Sequence, residues 1–262
     1  MKYKKLWFGL LIIFIMLAFL SCDNNQNAQS IDGQVDVTNQ PQTSEREGNW
    51  ELREGELVIY SDLGMSEWIG YLNAMPEEQW ESILCQIERI TLADGVSVVQ
   101  RAAFDGCVNL KEVLMSDTVY IIEEDAFTSC SSLTHVVWSN NLKIIETDAF
   151  SGCGFIEINF PNQLQEIRAE AFYDCDYLKR VIIPGSTYDI SGILDCTNLE
   201  QIVFLGRKPD LTFEPFFQVE NNDTLTVYYL SEYREQWMQD SETEWNGIPM
   251  ICIDSIDDLP PI

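Results

Sequence analysis

AFDGCVNLKEV (103–113), AFTSCSSLTHV (126–136), AFSGCGFIEI (149–158) and AFYDCDYLKRV (171–181) are four copies of one phrase. Their phenylalanines, Phe104, Phe127, Phe150 and Phe172, are 23, 23 and 22 residues apart. A worn fifth copy, ILDCTNLEQI, begins 21 residues further on at Ile193. A period of this size marks a solenoid, in which each short unit buries its apolar side only by stacking on its neighbours. Such a chain builds a surface more readily than a pocket.

A full copy reads V-x-x-I-x-x-x-A-F-x-x-C-x-x-L-x-x-V-x-Φ, where Φ is a large apolar residue. Val96/Val99, Val119/Ile122, Leu142/Ile145 and Leu164/Ile167 fill the first pair. The last pair is Val113 and Met115, Val136 and Trp138, Ile158 and Phe160, Val181 and Ile183, Ile202 and Phe204, with an earlier copy in Ile90 and Leu92. Its period of two is a strand signature. The third copy lacks one residue after Cys153, so Phe155 takes the place of the usual leucine. Equivalent side chains of strands stacked about 4.8 Å apart form columns. At about 25 cal/mol per Å² of buried apolar surface, one phenylalanine or leucine per coil contributes a few kcal/mol. That couples neighbours without folding a lone repeat.

This pattern resembles the leucine-rich repeats of the BspA type, a family of bacterial and protist surface proteins. The resemblance is strong over residues 83–206 and extends over 48–235. GNWELREGELVIYSDLGM (48–65) is similar to the hairpin-forming N-terminal segment of such proteins, and LTVYYLSEYREQW (225–237) to the strand-then-helix segment that often closes them. The resemblance implies an α/β-type solenoid, a right-handed coil with a parallel β-sheet on one face. It would comprise about five repeats of 21–23 residues, an N-terminal hairpin cap and a C-terminal strand/helix cap. Trp50, Leu57, Ile59, Trp68, Tyr71 and Trp80 are candidates to close the first coil. Tyr228, Tyr233, Trp237 and Trp245 are candidates to close the last.

The N-terminus carries an address. Lys2, Lys4 and Lys5 precede an apolar run from Leu6 to Leu20, which Ser21 and Cys22 close. The run is short for a membrane span, which needs about 20 apolar residues, and has the order of a signal peptide. FLSC resembles a bacterial lipobox, although Phe19 stands where leucine is usual; this implies lipidation of Cys22. The stretch that follows is rich in Asn, Gln, Ser and Thr and cannot offset its ordering entropy by burial. The expected organisation is a signal peptide (1–21), a disordered tether from lipidated Cys22 (22–48) and an N-terminal cap (49–82). Repeats (83–206), a C-terminal cap (207–255) and a tail (256–262) follow. The expected location is extracytoplasmic, on the bacterial membrane or cell surface through the lipid alone.

Without the signal, 12 basic side chains face 43 acidic ones, a formal charge of −31. Nucleic acid and anionic lipid repel such a chain, so nucleic-acid partners are excluded. Cys107, Cys130, Cys153, Cys175 and Cys196 occupy one column, where parallel Cβ vectors disfavour disulfides, and read as buried reduced thiols. A bond between Cys85 and Cys252 would have to span the solenoid and is not expected. The cysteines lack paired zinc-site spacing, and the single histidine, His135, cannot support a Cys/His cluster. No nucleophile elbow, phosphate loop, zincin motif or EF-hand loop is present. The chain reads as a non-enzyme with no cofactor and no metal.

If the strands form one sheet, the residues alternating with the core face outward. Their middle column is Thr91, Leu114, Val137, Asn159, Ile182 and Val203, beside His135 and Arg180. An apolar stripe rimmed by polar groups suggests a protein-binding surface, although Val and Ile also favour strands on a wet face. The aromatic, acidic C-terminal end is a second candidate surface, for sugars or a basic peptide. Family members are associated with adhesion to matrix proteins and with coaggregation. The resemblance thus implies a surface-anchored module that binds a host or neighbouring-cell protein. Two other readings are a carbohydrate- or solute-capturing lipoprotein and a purely structural envelope component.

Overall fold

The structure, a computed structural model, describes residues 48–193, 196–209, 224–238, 243–245 and 247–262. Cys22, the signal sequence and nearly all of the expected tether lie outside these residues. Two segments lead in. The strands β1 (Trp50–Arg53) and β2 (Glu56–Ile59) form an antiparallel hairpin, and two helices follow, α1 (Asp62–Asn73) and α2 (Glu77–Leu84). The Ser61 side chain accepts from the Gly64 amide at the start of α1, as an N-cap does. The Asp62 carboxylate in turn accepts from the Ser97 amide and hydroxyl, which ties α1 to the first coil.

Among the described residues, six coils contribute an outer strand and four of them a two-residue inner strand as well. The outer strands are β3 (Arg89–Leu92), β5 (Glu112–Met115), β7 (His135–Val137), β9 (Glu157–Asn159), β11 (Arg180–Pro184) and β12 (Gln201–Leu205). Beyond them lie β13 (Thr226–Leu230), a short helix α3 (Arg234–Trp237), β14 (Glu244–Trp245) and β15 (Ile248–Ile253). The inner strands β4 (Val98–Val99), β6 (Ile121–Ile122), β8 (Ile144–Ile145) and β10 (Glu166–Ile167) pair in parallel as one four-stranded sheet.

The third side of the coil has turns where a helix could have stood. Amides of one coil donate to carbonyls of the next: Phe104 to Ala126, Phe127 to Ala149 and Phe150 to Ala171, at 2.8–2.9 Å. Two left-handed residues flank each phenylalanine to bend the chain. Those two positions before it are Ala102, Asp125, Asp148 and Glu170, at φ 52–61°. Those two after it are Gly106, Ser129, Gly152 and Asp174, at φ 53–77°. Ser129 and Asp174 thus hold a conformation that disfavours a Cβ.

Inside, every column expected from the sequence is filled. Phe104, Phe127, Phe150 and Phe172 are fully buried, as are Leu110, Leu133 and Leu178. The rings stack coil on coil, with centroids 5.1, 5.0 and 5.4 Å apart and the last two pairs within 7° of parallel. Phe155 is 2% exposed and fills the leucine place, so the deletion is absorbed within the core.

Its cost appears on the outer face. The outer strands do not form one sheet: β1-β2-β3-β5-β7 and β9-β11-β12-β13-β15-β14 are separate. Among the described residues no ladder joins β7 to β9. The shortened coil draws Gly154 against its neighbour, where a Cβ would lie 2.5 Å from the Ser131 carbonyl oxygen. The inner sheet crosses this seam unbroken through β8 and β10.

The turn after β5 is clamped to the next coil. The Asp117 carboxylate accepts from the Asn140 amide at 2.9 Å and from its side chain at 3.1 Å. These bonds, the amide's first, hold the Asp117 carboxyl below its ordinary pKa. A depressed carboxyl adds stability above its unfolded pKa and loses it as pH falls through the folded one. Asp117→Asn is therefore expected to flatten the acid side of the stability profile below about pH 4 in urea titrations. In the same assay Phe127→Ala should lower stability by about 3–5 kcal/mol. Ser129→Gly should raise it by up to about 1 kcal/mol.

Candidate interaction surface

The outward strand positions line up in rows. Val58, Thr91, Leu114 and Val137 are register partners on one side of the seam, and Asn159, Ile182, Val203 and Tyr228 on the other. Val58 and Tyr228 extend the row beyond what the repeat spacing marks. Alternation in ELVI and TVYYL is the signal that could have found them.

The two halves differ in access. Val137 is 46% exposed, Asn159 is exposed, and Thr91 and Leu114 are half-buried. Ile182 is 5% exposed and Val203 fully buried, so the expected exposure of these two is corrected. They form a second apolar cluster with Tyr228 and Ile253, and Leu259 packs on it. The chain's own C-terminal segment covers that half of the face.

A row of charges runs beside the open half. Arg89 Nε donates to the Glu112 carboxylate at 2.7 Å, and His135 Nε2 lies 3.8 Å from the same carboxylate. Thr91 donates to Glu56 at 2.9 Å. Across the seam Arg180 reaches Glu157 at 3.3 Å and donates to Gln201 at 2.7 Å. The half-exposed Arg89–Glu112 pair adds little stability; it fixes side-chain positions at the rim of the apolar row.

The C-terminal aromatic group does not offer a sugar platform. Trp237 is fully buried, and Tyr229, Trp245 and Tyr228 are 3, 5 and 6% exposed. Trp237 stacks on Tyr229 at 5.3 Å and packs on Phe204. The exposed aromatics lie elsewhere. Tyr177, 68% exposed, lines a shallow cleft of about 340 Å³ with Ile156, Asp176, Lys179, Asn198 and Glu200.

The cysteine column has a second duty that spacing alone did not disclose. Cys130, Cys153, Cys175 and Cys196 each donate a thiol hydrogen to the phenylalanine carbonyl of the preceding coil, at 3.2–3.3 Å. These cysteines and Cys107 are free thiols, and Cys252 is free as well, so it is not bonded to Cys85. Burial pushes the Cys130, Cys153 and Cys175 thiols up, which keeps them protonated donors. Among the described residues no group of three or more His, Cys, Asp or Glu side chains could hold a metal ion.

Parallel strands stacked coil on coil from one recurring phrase make this a solenoid repeat protein. The chain belongs to the BspA-type leucine-rich repeat family. A family model described as a BspA type leucine rich repeat region matches in six copies, over residues 80–192 and 120–218. Among solved structures, a leucine rich cell surface protein from Faecalibacterium prausnitzii A2-165 is 30% identical, over 46% of this chain and 33% of its own, with a TM-score of 0.44. A leucine-rich repeat protein from Bacteroides ovatus ATCC 8483 is 25% identical, over 55% and 34%, with a TM-score of 0.44. The pneumococcal vaccine antigen PcpA, 15% identical over 63% and 41%, has a TM-score of 0.50 and shares the fold. The match spans 33–39% of the length of the first solved relatives. No curated protein matches the chain significantly.

The thiol ladder makes a chemical prediction. In native protein at pH 8, iodoacetamide should modify half-buried Cys252 before any column cysteine. Cys107, Cys130, Cys153, Cys175 and Cys196 should react only at the rate of unfolding, as followed by peptide mass mapping.

Proposed function

We propose that the chain is a surface-displayed interaction module that binds protein through the open half of its strand face. One observation carries this reading: Thr91, Leu114 and Val137 stand in register on one outward row that no other segment covers, with Asn159 exposed across the seam, beside the Arg89–Glu112 ion pair and the exposed His135 ring. Membership of the repeat family supports the role in interaction and a location outside the cell or at its surface. The proposal further takes residues 1–21 as a signal peptide and lipidated Cys22 as the anchor. Residues 22–48 would be a tether that carries the folded part away from the membrane. A host matrix or bacterial surface protein is the proposed class of ligand. The open face is small, so one contact would be weak and many copies on one cell would raise the avidity.

The cleft beside Tyr177 supports a second reading, capture of a carbohydrate or other solute. An exposed ring flanked by Asp176, Asn198 and Glu200 offers a stacking face with hydrogen-bonding groups around it.

Binding of the full chain to arrays of matrix proteins and glycans separates the two. A Leu114→Asp, Val137→Asp variant with unchanged melting should lose protein binding by at least about tenfold. Glycan binding that this variant keeps and Tyr177→Ala loses would favour capture instead.

A further inference from the structure

The outward face of β11–β13 holds part of the chain itself. After β15 the backbone turns at Ser255. Its hydroxyl accepts from the Asp257 amide, and its own amide donates to the Asp258 carboxylate. This self-contained turn, Ile256–Asp258, delivers Leu259 onto Ile182, Val203, Tyr228 and Ile253, a cluster separate from the main core. The next carbonyl, that of Pro260, accepts from the Arg180 guanidinium and, at 3.3 Å, from the Gln201 side-chain amide.

The contact has the character of a ligand in a groove. Leu259 sits at φ −67° and ψ 136°, the extended conformation imposed on a residue before proline. The segment therefore loses little freedom on docking. Pro260 and Pro261 carry no N–H, which suits a site whose polar contacts to the segment are both donors. Arg180 is held in place by Glu157 and Gln201, and its side chain is 11% exposed. On the segment itself, Ile256, Asp257, Asp258, Pro260 and Ile262 remain exposed. Grip on the face falls to one aliphatic side chain and one carbonyl.

We infer that the outward face of β11–β13 is a docking groove for an extended protein segment in which an aliphatic residue precedes proline. Leu259–Pro260 occupies it in cis, and when that segment lifts, the groove takes one of the same chemistry from a partner. The partner's identity as a bound protein rests on the proposed function; the groove rests on the contacts of Leu259 and Pro260.

The test titrates a fluorescent peptide, SIDDLPPI (residues 255–262), into the full chain and into Leu259→Asp, with hydroxyl-radical footprinting of Tyr228 in parallel. In the variant Tyr228 should become accessible, and the peptide should bind at least about tenfold more tightly than to the unaltered chain. Adding Arg180→Ala should remove that gain. Leu259→Ser serves the same purpose if the aspartate prevents folding. A Tyr228 equally shielded in the substituted chain overturns the inference, and so does an accessible Tyr228 without peptide binding. The Leu114→Asp, Val137→Asp chain should behave in this titration like its parent, so failure of the adhesion reading would register separately.

Discussion

Everything in this fold follows from the requirement that the phenylalanine of each coil lie on the phenylalanine of the next. Ring centroids 5.0–5.4 Å apart set the rise, and the ladder of Phe amides to Ala carbonyls sets the register. The phenylalanine carbonyl is used twice, by the cysteine amide of its own coil and by the thiol of the following coil. A smaller apolar residue at the cysteine position would leave a buried acceptor with one partner fewer. The left-handed turns around each phenylalanine are the conformational cost of bringing both ladders to one edge. No single coil could meet that cost, because its stabilising partners belong to its neighbours.

What the outer face offers then depends on what the core leaves to it. Alternation along each strand sends one row inward to the spine and one outward. The one-residue deletion after Cys153 keeps Phe155 in the core and parts β7 from β9 outside. The C-terminal segment divides the same face a second time by covering Ile182 and Val203. An open half with Leu114 and Val137 and a closed half gripped by Arg180 result, with Glu157 and Asn159 between them.

The repeat made the core legible from residues alone. Periodicity marks Phe104 to Phe172, the cysteine column and the strand pairs, because their burial is a local property repeated in register. The substitution of Phe155 for leucine was equally readable. The seam was not, since a deletion in sequence does not say whether the core or the sheet absorbs it. Coverage of Ile182 and Val203 was unreadable for another reason. Their alternation correctly points them outward, but it carries no information about Leu259, 77 and 56 residues later, which folds back on them. The thiol–carbonyl bonds were hidden too, because an apolar wedge and a weak donor share one spacing.

Hydroxyl-radical footprinting of the chain with a protein ligand taken from the arrays tests whether the open half of the strand face holds the partner. Protection of Leu114, His135 and Val137 is expected, with Tyr120 and Tyr188 on the inner-strand side as reactive as before. Protection of Tyr120 and Tyr188 with Leu114 and Val137 unchanged would contradict it.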